Sequence, residues 1–177
     1  GRMRLDIHPV HVATSIRNVL QVSQSMLRGQ PVEIVVDIPE ALPYVQADPV
    51  RFEQILYNLV GNAMKYTRGG IVSIDARATG DTVEVSVHDT GIGIATDSLE
   101  RIFQPLERAA DAEAGGFGLG LTIARQLAHA MHGTLRASST LGKGSVFTFA
   151  LPVAETVSEE TTLALTDIVV PYRQALN

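Results

Sequence analysis

The sequence predicts an α+β fold, a two-layer sandwich with helices on one face of a mixed sheet. Three observations point to it. Short alternating or β-branched segments recur along the chain, and two pairs of them are joined by turns at Gly80-Asp81 and Gly142-Lys143-Gly144. Apolar arcs at helical spacing lie between these segments. No internal repeat is present. With 177 residues, a mean hydropathy of +0.15 and 45% hydrophobic residues, the chain is long and apolar enough to bury a sizeable core. It has no Trp and only 5% aromatics, so Val, Ile, Leu and Ala must build most of that core.

From the N-terminus, residues 3–7 alternate and predict a short strand ended by Pro9. Val12, Ile16, Val19, Leu20, Met26 and Leu27 fall near helical spacing and predict a helix over 10–27, with Gly29 as its C-terminal cap. The β-branched run 32–38 predicts a strand closed by Pro39, and 42–46 a second extended piece. Asp48-Pro49 is a helix start, Asp as N-cap and Pro in the first turn. In the helix that follows, to about Lys65, Phe52, Leu56, Leu59, Val60 and Ala63 share one arc. Arg51, Gln54, Asn58, Asn62 and Lys65 share the other. Residues 71–76 and 83–88 predict a hairpin. Ser98 is the expected cap of a short helix through Phe103, stopped by Pro105. Residues 107–116 have the composition of a lid. Residues 118–131 predict a helix with Leu121, Ile123, Ala124, Leu127 and Ala128 inward and Gly133 closing it. Residues 135–138 and 145–151 predict the last two strands. After Pro152 the composition turns to Glu, Ser and Thr. The expected organisation is therefore a domain over 1–152 and a linker, or the start of a following element, over 153–177. Gly1-Arg2-Met3 reads as a cut site, so a longer parent is expected.

A net charge of −5 and the lack of a dense Lys/Arg run argue against a broad nucleic-acid surface, and no apolar run is long enough for a membrane span. The absence of Cys excludes disulfides and thiolate zinc sites, which fits a reducing compartment.

Three segments carry candidate chemistry. Asp89 ends a strand, and Gly91 and Gly93 follow it. A rigid carboxylate there can accept from the exocyclic amine of adenine and repel the carbonyl of guanine, while glycines let backbone approach a flat base. By itself the motif reads first as a strand followed by a polar turn, since short glycine motifs match by chance. Asn58 and Asn62 lie one helical turn apart. Their amide oxygens are hard neutral ligands suited to Mg²⁺, and Lys65 beyond them can neutralise phosphate, although two asparagines also suit a solvated helix face. Gly116-Phe117-Gly118-Leu119-Gly120 precedes a helix, where backbone N–H groups favour an anion or a flexible loop simply enters the helix. The Walker-type phosphate loop and the dinucleotide-binding glycine fingerprint are absent.

In this order the segments match a family. Leu56-Tyr57-Asn58-Leu59-Val60-Gly61-Asn62-Ala63-Met64-Lys65-Tyr66-Thr67 resembles the N box of sensor histidine kinases. Asp89-Thr90-Gly91-Ile92-Gly93-Ile94 resembles their G1 box, Ile102-Phe103-Gln104-Pro105 their F box, and Gly116-Phe117-Gly118-Leu119-Gly120-Leu121 their G2 box. The similarity covers residues 5–152. It implies a Bergerat ATP-binding fold of the GHKL superfamily, the catalytic half of a histidine kinase, with ATP and Mg²⁺ as its ligands. It implies Asn62 on Mg²⁺, Asp89 on the adenine amine, and Lys65 and Arg108 on the phosphates, with Asn58 beside them in the catalytic set. Tyr66 lines the nucleotide site, as do Gly91, Gly93, Ile94, Phe103, Leu119, Leu121 and Thr148. Gly116, Gly118 and Gly120 form the hinge of the lid that closes on the phosphates, and Phe117 between them is ATP-binding.

The implied partners are a histidine-bearing dimerisation domain of the same parent and, through it, a response regulator. The implied location is cytoplasmic, with a parent that can be membrane-anchored. The chain departs from the family at Leu106, often a second Phe. It also lacks the family's acceptor context: none of His8, His11, His88, His129 and His132 lies in the His-Glu/Asp setting of a phosphoacceptor helix. In related ATPases of the superfamily a glutamate base precedes the magnesium asparagine by one turn. Asn58 stands there here, and an amide is no useful base near neutral pH, which points to phosphoryl donation rather than hydrolysis. The alternatives are a GHKL-type ATPase and a nucleotide-binding regulatory module without kinase activity.

Overall fold

The computed structural model describes residues 4–23, 31–105 and 119–155. Among them are strands β1 (His8–Val10), β2 (Val32–Asp37), β3 (Val45–Ala47), β4 (Gly70–Thr79), β5 (Thr82–Asp89), β6 (Thr134–Thr140) and β7 (Gly144–Pro152). The helices are α1 (Val12–Ser23), α2 (Pro49–Tyr66) and α3 (Gly120–Ala130). The strands form a five-stranded sheet of order β2-β4-β5-β7-β6 and a separate β1-β3 ribbon. Only the β2–β4 pair is parallel within the large sheet, which is therefore mixed as expected.

The pleat sorts the sheet into two faces. Val72, Ile74 and Ala76 of β4, Val83, Val85 and Val87 of β5, and Phe147, Phe149 and Leu151 of β7 share one face and one buried cluster with the three helices. Helix α2 contributes Phe52, Ile55, Leu56, Leu59 and Val60, all with no exposed surface, and Phe52 meets Phe149 edge-on at 5.3 Å. Burial of each such side chain stabilises the fold by about 1.5–3 kcal/mol relative to exposure. The other face is polar. There Glu84 binds Arg77 and Arg136, each at 2.8 Å, and Ser86 bonds Thr148 at 2.9 Å. The two guanidinium groups hold the Glu84 carboxyl below its ordinary range.

Several boundaries differ from the sequence reading. The first strand is not residues 3–7: residues 4–7 are irregular, residue 3 lies outside the described residues, and the strand is His8–Val10. Pro9 sits inside it, opposite Gln46. A two-stranded ribbon consists of edges, so a missing N–H is tolerated. The second extended piece lies at Val45–Ala47 rather than 42–46, set by that pairing. Ser98 caps no helix. Thr96–Ser98 and Arg101–Phe103 are separate 3₁₀ turns, each without a side-chain cap. Helix α3 ends in a Schellman motif, Gly133 N–H to Ala128 O and His132 N–H to His129 O, and the left-handed residue is His132 (φ 59°) rather than Gly133. Packing runs past Pro152: Val153 N–H bonds Asp81 O, and Ala154 N–H bonds Tyr44 O, each at 2.8 Å. The expected cap Gly29, the lid at 107–116 and the linker beyond 155 lie outside the described residues.

The N-cap of α2 forms as read. The Asp48 carboxylate accepts from Val50 and Arg51 N–H at 3.0 and 3.1 Å, and from Asp6 N–H at 3.0 Å, which ties the N-terminal segment to the helix. Burial pushes this carboxyl up, and the amides of Asp6, Arg51 and Val50 with the Arg51 charge outweigh it, so it lies below its ordinary value. A depressed folded-state value means stability fully present above the ordinary carboxylate range and lost as pH falls through the lowered value. Asp48→Ala should cost about 1–2 kcal/mol in urea unfolding near neutral pH, and the gap from the parent should narrow below the ordinary carboxylate range.

Candidate nucleotide site

The site is built where the C-terminal half of α2, the end of β5 and the start of α3 meet. The apolar arc of α2 is buried against the sheet, so the opposite arc, with Asn58, Asn62 and Lys65, stays half-buried at the edge of the core. The Lys65 ammonium lies 5.1 Å from the centre of the Tyr66 ring. Tyr66, the last residue of α2, joins this face to the next segment, because its carbonyl accepts the Ile92 N–H at 3.3 Å.

Asp89 ends β5 on the core-side face of the sheet. Gly91 turns the chain immediately after it, with its N–H on Asp89 Oδ1 at 2.8 Å. A Cβ at Gly91 would collide with the Tyr66 carbonyl and lie 2.8 Å from Asp89 Oδ1, so only glycine lets the loop and helix approach this closely. Gly93 has φ 69°, and a Cβ there would strike the Thr140 carbonyl. Burial raises the Asp89 carboxyl above its ordinary value, against the opposing pull of the Gly91 amide, both donors of Ser145 and the neighbouring His88.

The G2-like end approaches from the other side. Gly120 begins α3 directly against Asn58, whose Oδ1 would lie 2.9 Å from a Cβ at Gly120. Leu119 is exposed and Leu121 packs partly against the core. Segments some thirty residues apart or more in sequence thus meet at α2. Ile94 is half-buried beside the same loop. Phe103 is buried rather than open: Phe147 faces it edge-on at 6.5 Å and the Arg125 guanidinium covers it at 4.7 Å. That packing anchors the end of the preceding turns. Arg108, Gly116, Phe117 and Gly118 lie outside the described residues.

Thr148 is a correction. It pairs with Ser86 on the polar face of the sheet, opposite to Asp89, because strand alternation puts it an odd number of residues from Ser145, the register partner of Asp89. The residue missed is Ser145 itself. It is the register partner of Asp89, and its N–H and hydroxyl pull the Asp89 carboxyl down against the burial that raises it. Its place directly after the hairpin Gly144 was the available signal. His88 also faces away from Asp89, to the Asp75 carboxylate at 2.5 Å on the polar side.

As a donor set, the site fits Mg²⁺ held jointly with phosphates. Asn58 and Asn62 offer amide oxygens, and no group of three or more His, Asp or Glu gathers anywhere among the described residues to hold a cation alone.

A two-layer sandwich with this loop and helix pair defines a nucleotide-binding ATPase class. Residues 47–155 match the family model described as histidine kinase-, DNA gyrase B- and HSP90-like ATPase, and the chain belongs to that family. It is 36% identical over 154 residues to the adaptive-response sensory kinase SasA of Synechococcus elongatus, covering 85% of this chain and 40% of SasA. It is 37% identical over 139 residues to the sensor protein TorS of Escherichia coli, covering 78% of this chain and 15% of TorS. The chain thus spans well under half of these curated relatives. Among solved structures it resembles full-length ShkA in complex with AMPPNP, with a TM-score of 0.80 and 34% identity over 89% of this chain and 33% of that one. It also resembles the catalytic domain of histidine kinase ThkA, with a TM-score of 0.74 and 26% identity over 84% and 97%. The mixed sheet with helices on one face is the Bergerat fold of those ATPase domains. No helix among the described residues is long and apolar enough to cross a membrane.

The raised carboxyl of Asp89 has a stability consequence. A carboxyl whose folded-state value is raised favours folding when protonated and opposes it once ionised, so its cost grows as pH rises through the ordinary value to the raised one. Asp89→Asn should therefore melt at a higher temperature than the parent at pH 7, with the difference shrinking toward acid pH in calorimetric scans.

Proposed function

We propose that the chain is the ATP-binding, phosphoryl-donating domain of a sensor histidine kinase. It acts on a histidine carried by a separate dimerisation domain of the same parent protein, from which a response regulator is phosphorylated. The observation that carries this reading is the meeting at α2 of Asp89 with its glycine loop, through Tyr66, and of the α3 start, through Asn58. The kinase names and the AMPPNP complex among the similar proteins support it.

In this reading Asp89 accepts from the adenine amine, and the flat Gly91–Gly93 backbone and Ile94 form the wall beside the base. Asn62 holds Mg²⁺ by its amide oxygen with Asn58 one turn away. Lys65 neutralises phosphate charge and Tyr66 lines the pocket. Arg108, Gly116, Phe117, Gly118, Leu119, Gly120 and Leu121 serve the phosphate side of the nucleotide, and Phe103 belongs to the same site. Bound Mg²⁺ would offset negative charge on the phosphates. The residues on α2 and at the α3 start would orient the terminal phosphoryl group and exclude water, which is most of what this transfer asks of a protein. Asn58 removes no proton from water, which disfavours the hydrolytic reading. The domain spans 1–152 with the short Val153–Ala154 extension packed on it. It works on the cytoplasmic side, with no contact of its own to membrane or nucleic acid.

Titration calorimetry tests the pocket. The parent chain should bind ADP in Mg²⁺, Asp89→Asn should lose at least about tenfold in affinity, and Asn62→Ala should lose the part that depends on Mg²⁺. Unchanged affinity in Asp89→Asn would remove the adenine assignment. With labelled ATP, the supplied parental dimerisation domain should gain phosphohistidine and the chain alone none. Phosphohistidine on the isolated chain would overturn the division of labour.

A further inference from the structure

Strand register sets three polar side chains in one row at the end of the sheet. Asp89 of β5 pairs with Ser145 of β7, and Ser145 pairs with Ser139 of β6. Ser139 Oγ lies 3.0 Å from Ser145 Oγ and 2.8 Å from the Gly144 carbonyl, and it accepts the Ile94 N–H at 2.8 Å. Ile94 is the last residue of the glycine loop. Gly142 N–H closes the same loop from the hairpin, on Ile92 O at 2.7 Å. One hydroxyl therefore holds the far end of the loop that leaves Asp89 and also the serine paired with Asp89 across the sheet.

Hydroxyl stoichiometry makes the arrangement directional. A serine has one O–H and two lone pairs. The Ser139 proton goes to the Gly144 carbonyl, so the contact with Ser145 is filled by the Ser145 proton. That bond holds the Ser145 side chain in place beside Asp89, its register partner. The Ile94 amide occupies the other Ser139 lone pair. A half-buried chain of this kind strengthens bond by bond, and losing one member leaves the others under-satisfied.

We propose that Ser139 is a positioning residue for base recognition: through Ser145 and Ile94 it fixes the Asp89 carboxylate and the loop against one another, so that selection of adenine over guanine depends on its hydroxyl. The inference rests on the assignment of Asp89 to the adenine amine. Its role is geometric. The carboxylate and the loop wall must keep their relative placement to about half an ångström for a donor–acceptor pattern to be read.

The test is titration of the 177-residue chain with ADP and with GDP in Mg²⁺, for the parent, Ser139→Ala and Ser139→Thr. The parent should favour ADP. Ser139→Ala should lower the ADP/GDP affinity ratio about tenfold, with GDP affinity little changed, as loss of a bond in a partly buried row implies. Ser139→Thr keeps the hydroxyl on a β-compatible side chain and should restore the ratio to within about threefold, less than the effect of one bond. If the alanine variant does not fold, Ser139→Cys, similar in size with a weak donor, takes its place. Equal losses for ADP and GDP would assign Ser139 to packing alone and overturn the proposal, as would a threonine variant as impaired as alanine. A parental preference for ADP that persists in Ser139→Ala also overturns it while leaving Asp89 in place. A parent that binds both nucleotides equally takes down the Asp89 assignment itself.

Discussion

The rotation of α2 about its own axis is the constraint on which the site depends. Phe52, Ile55, Leu56, Leu59 and Val60 are fully buried against the helix-side face of the sheet and the flanking helices. Turning the helix by one residue position would drag several of these side chains into water and bring polar groups in, each at a cost of kilocalories. With the apolar arc fixed, Asn58, Asn62 and Lys65 have one direction left. The Asp48 cap sets where the helix begins, and the Tyr66 carbonyl, bonded by the Ile92 amide, sets where it meets the glycine loop. Packing energy spent on the core thus orients side chains that contribute little to the core.

The two faces of the sheet hold different groups. On the polar face the Glu84 pair with Arg77 and Arg136 and the Ser86–Thr148 bond join β4, β5, β6 and β7. Both guanidinium groups are more than half exposed, so solvent screens much of their attraction, and the arrangement specifies cross-strand partners more than it adds stability. On the helix side, β5 ends in a carboxyl that burial pushes up. A group placed against its own solvation preference is retained where another requirement outweighs stability. Asp89 and His88 are neighbours in sequence, yet alternation sends His88 to Asp75 and Asp89 to the site.

Much of this was legible in the chain. Hairpins at Gly80-Asp81 and Gly142-Lys143-Gly144, the capped start of α2 and its two arcs follow from backbone chemistry local to a few residues, and the structure contains them. Elements that owe their limits to a distant partner were misplaced. The first strand is His8–Val10 because Val45–Ala47 pairs there, and the 3₁₀ turns before Gln104 replace a helix because the buried Phe103 is held by Phe147 and Arg125.

The sequence by itself determined the hairpins, the capped start of α2, which arc of that helix faces the core, and the order of Asn58, Asn62, Asp89 and the glycines, because these rest on periodicity and on conformational limits of single residues. Tertiary structure alone decided who stands beside Asp89. Thr148, three residues beyond Ser145 on the same strand, falls on the wrong face, while Ser145 and Ser139 arrive from two other strands. Register couples Asp89 to Ser145 more than fifty positions away, and one position of slip reverses every side chain, so no local pattern in the chain encodes that pairing.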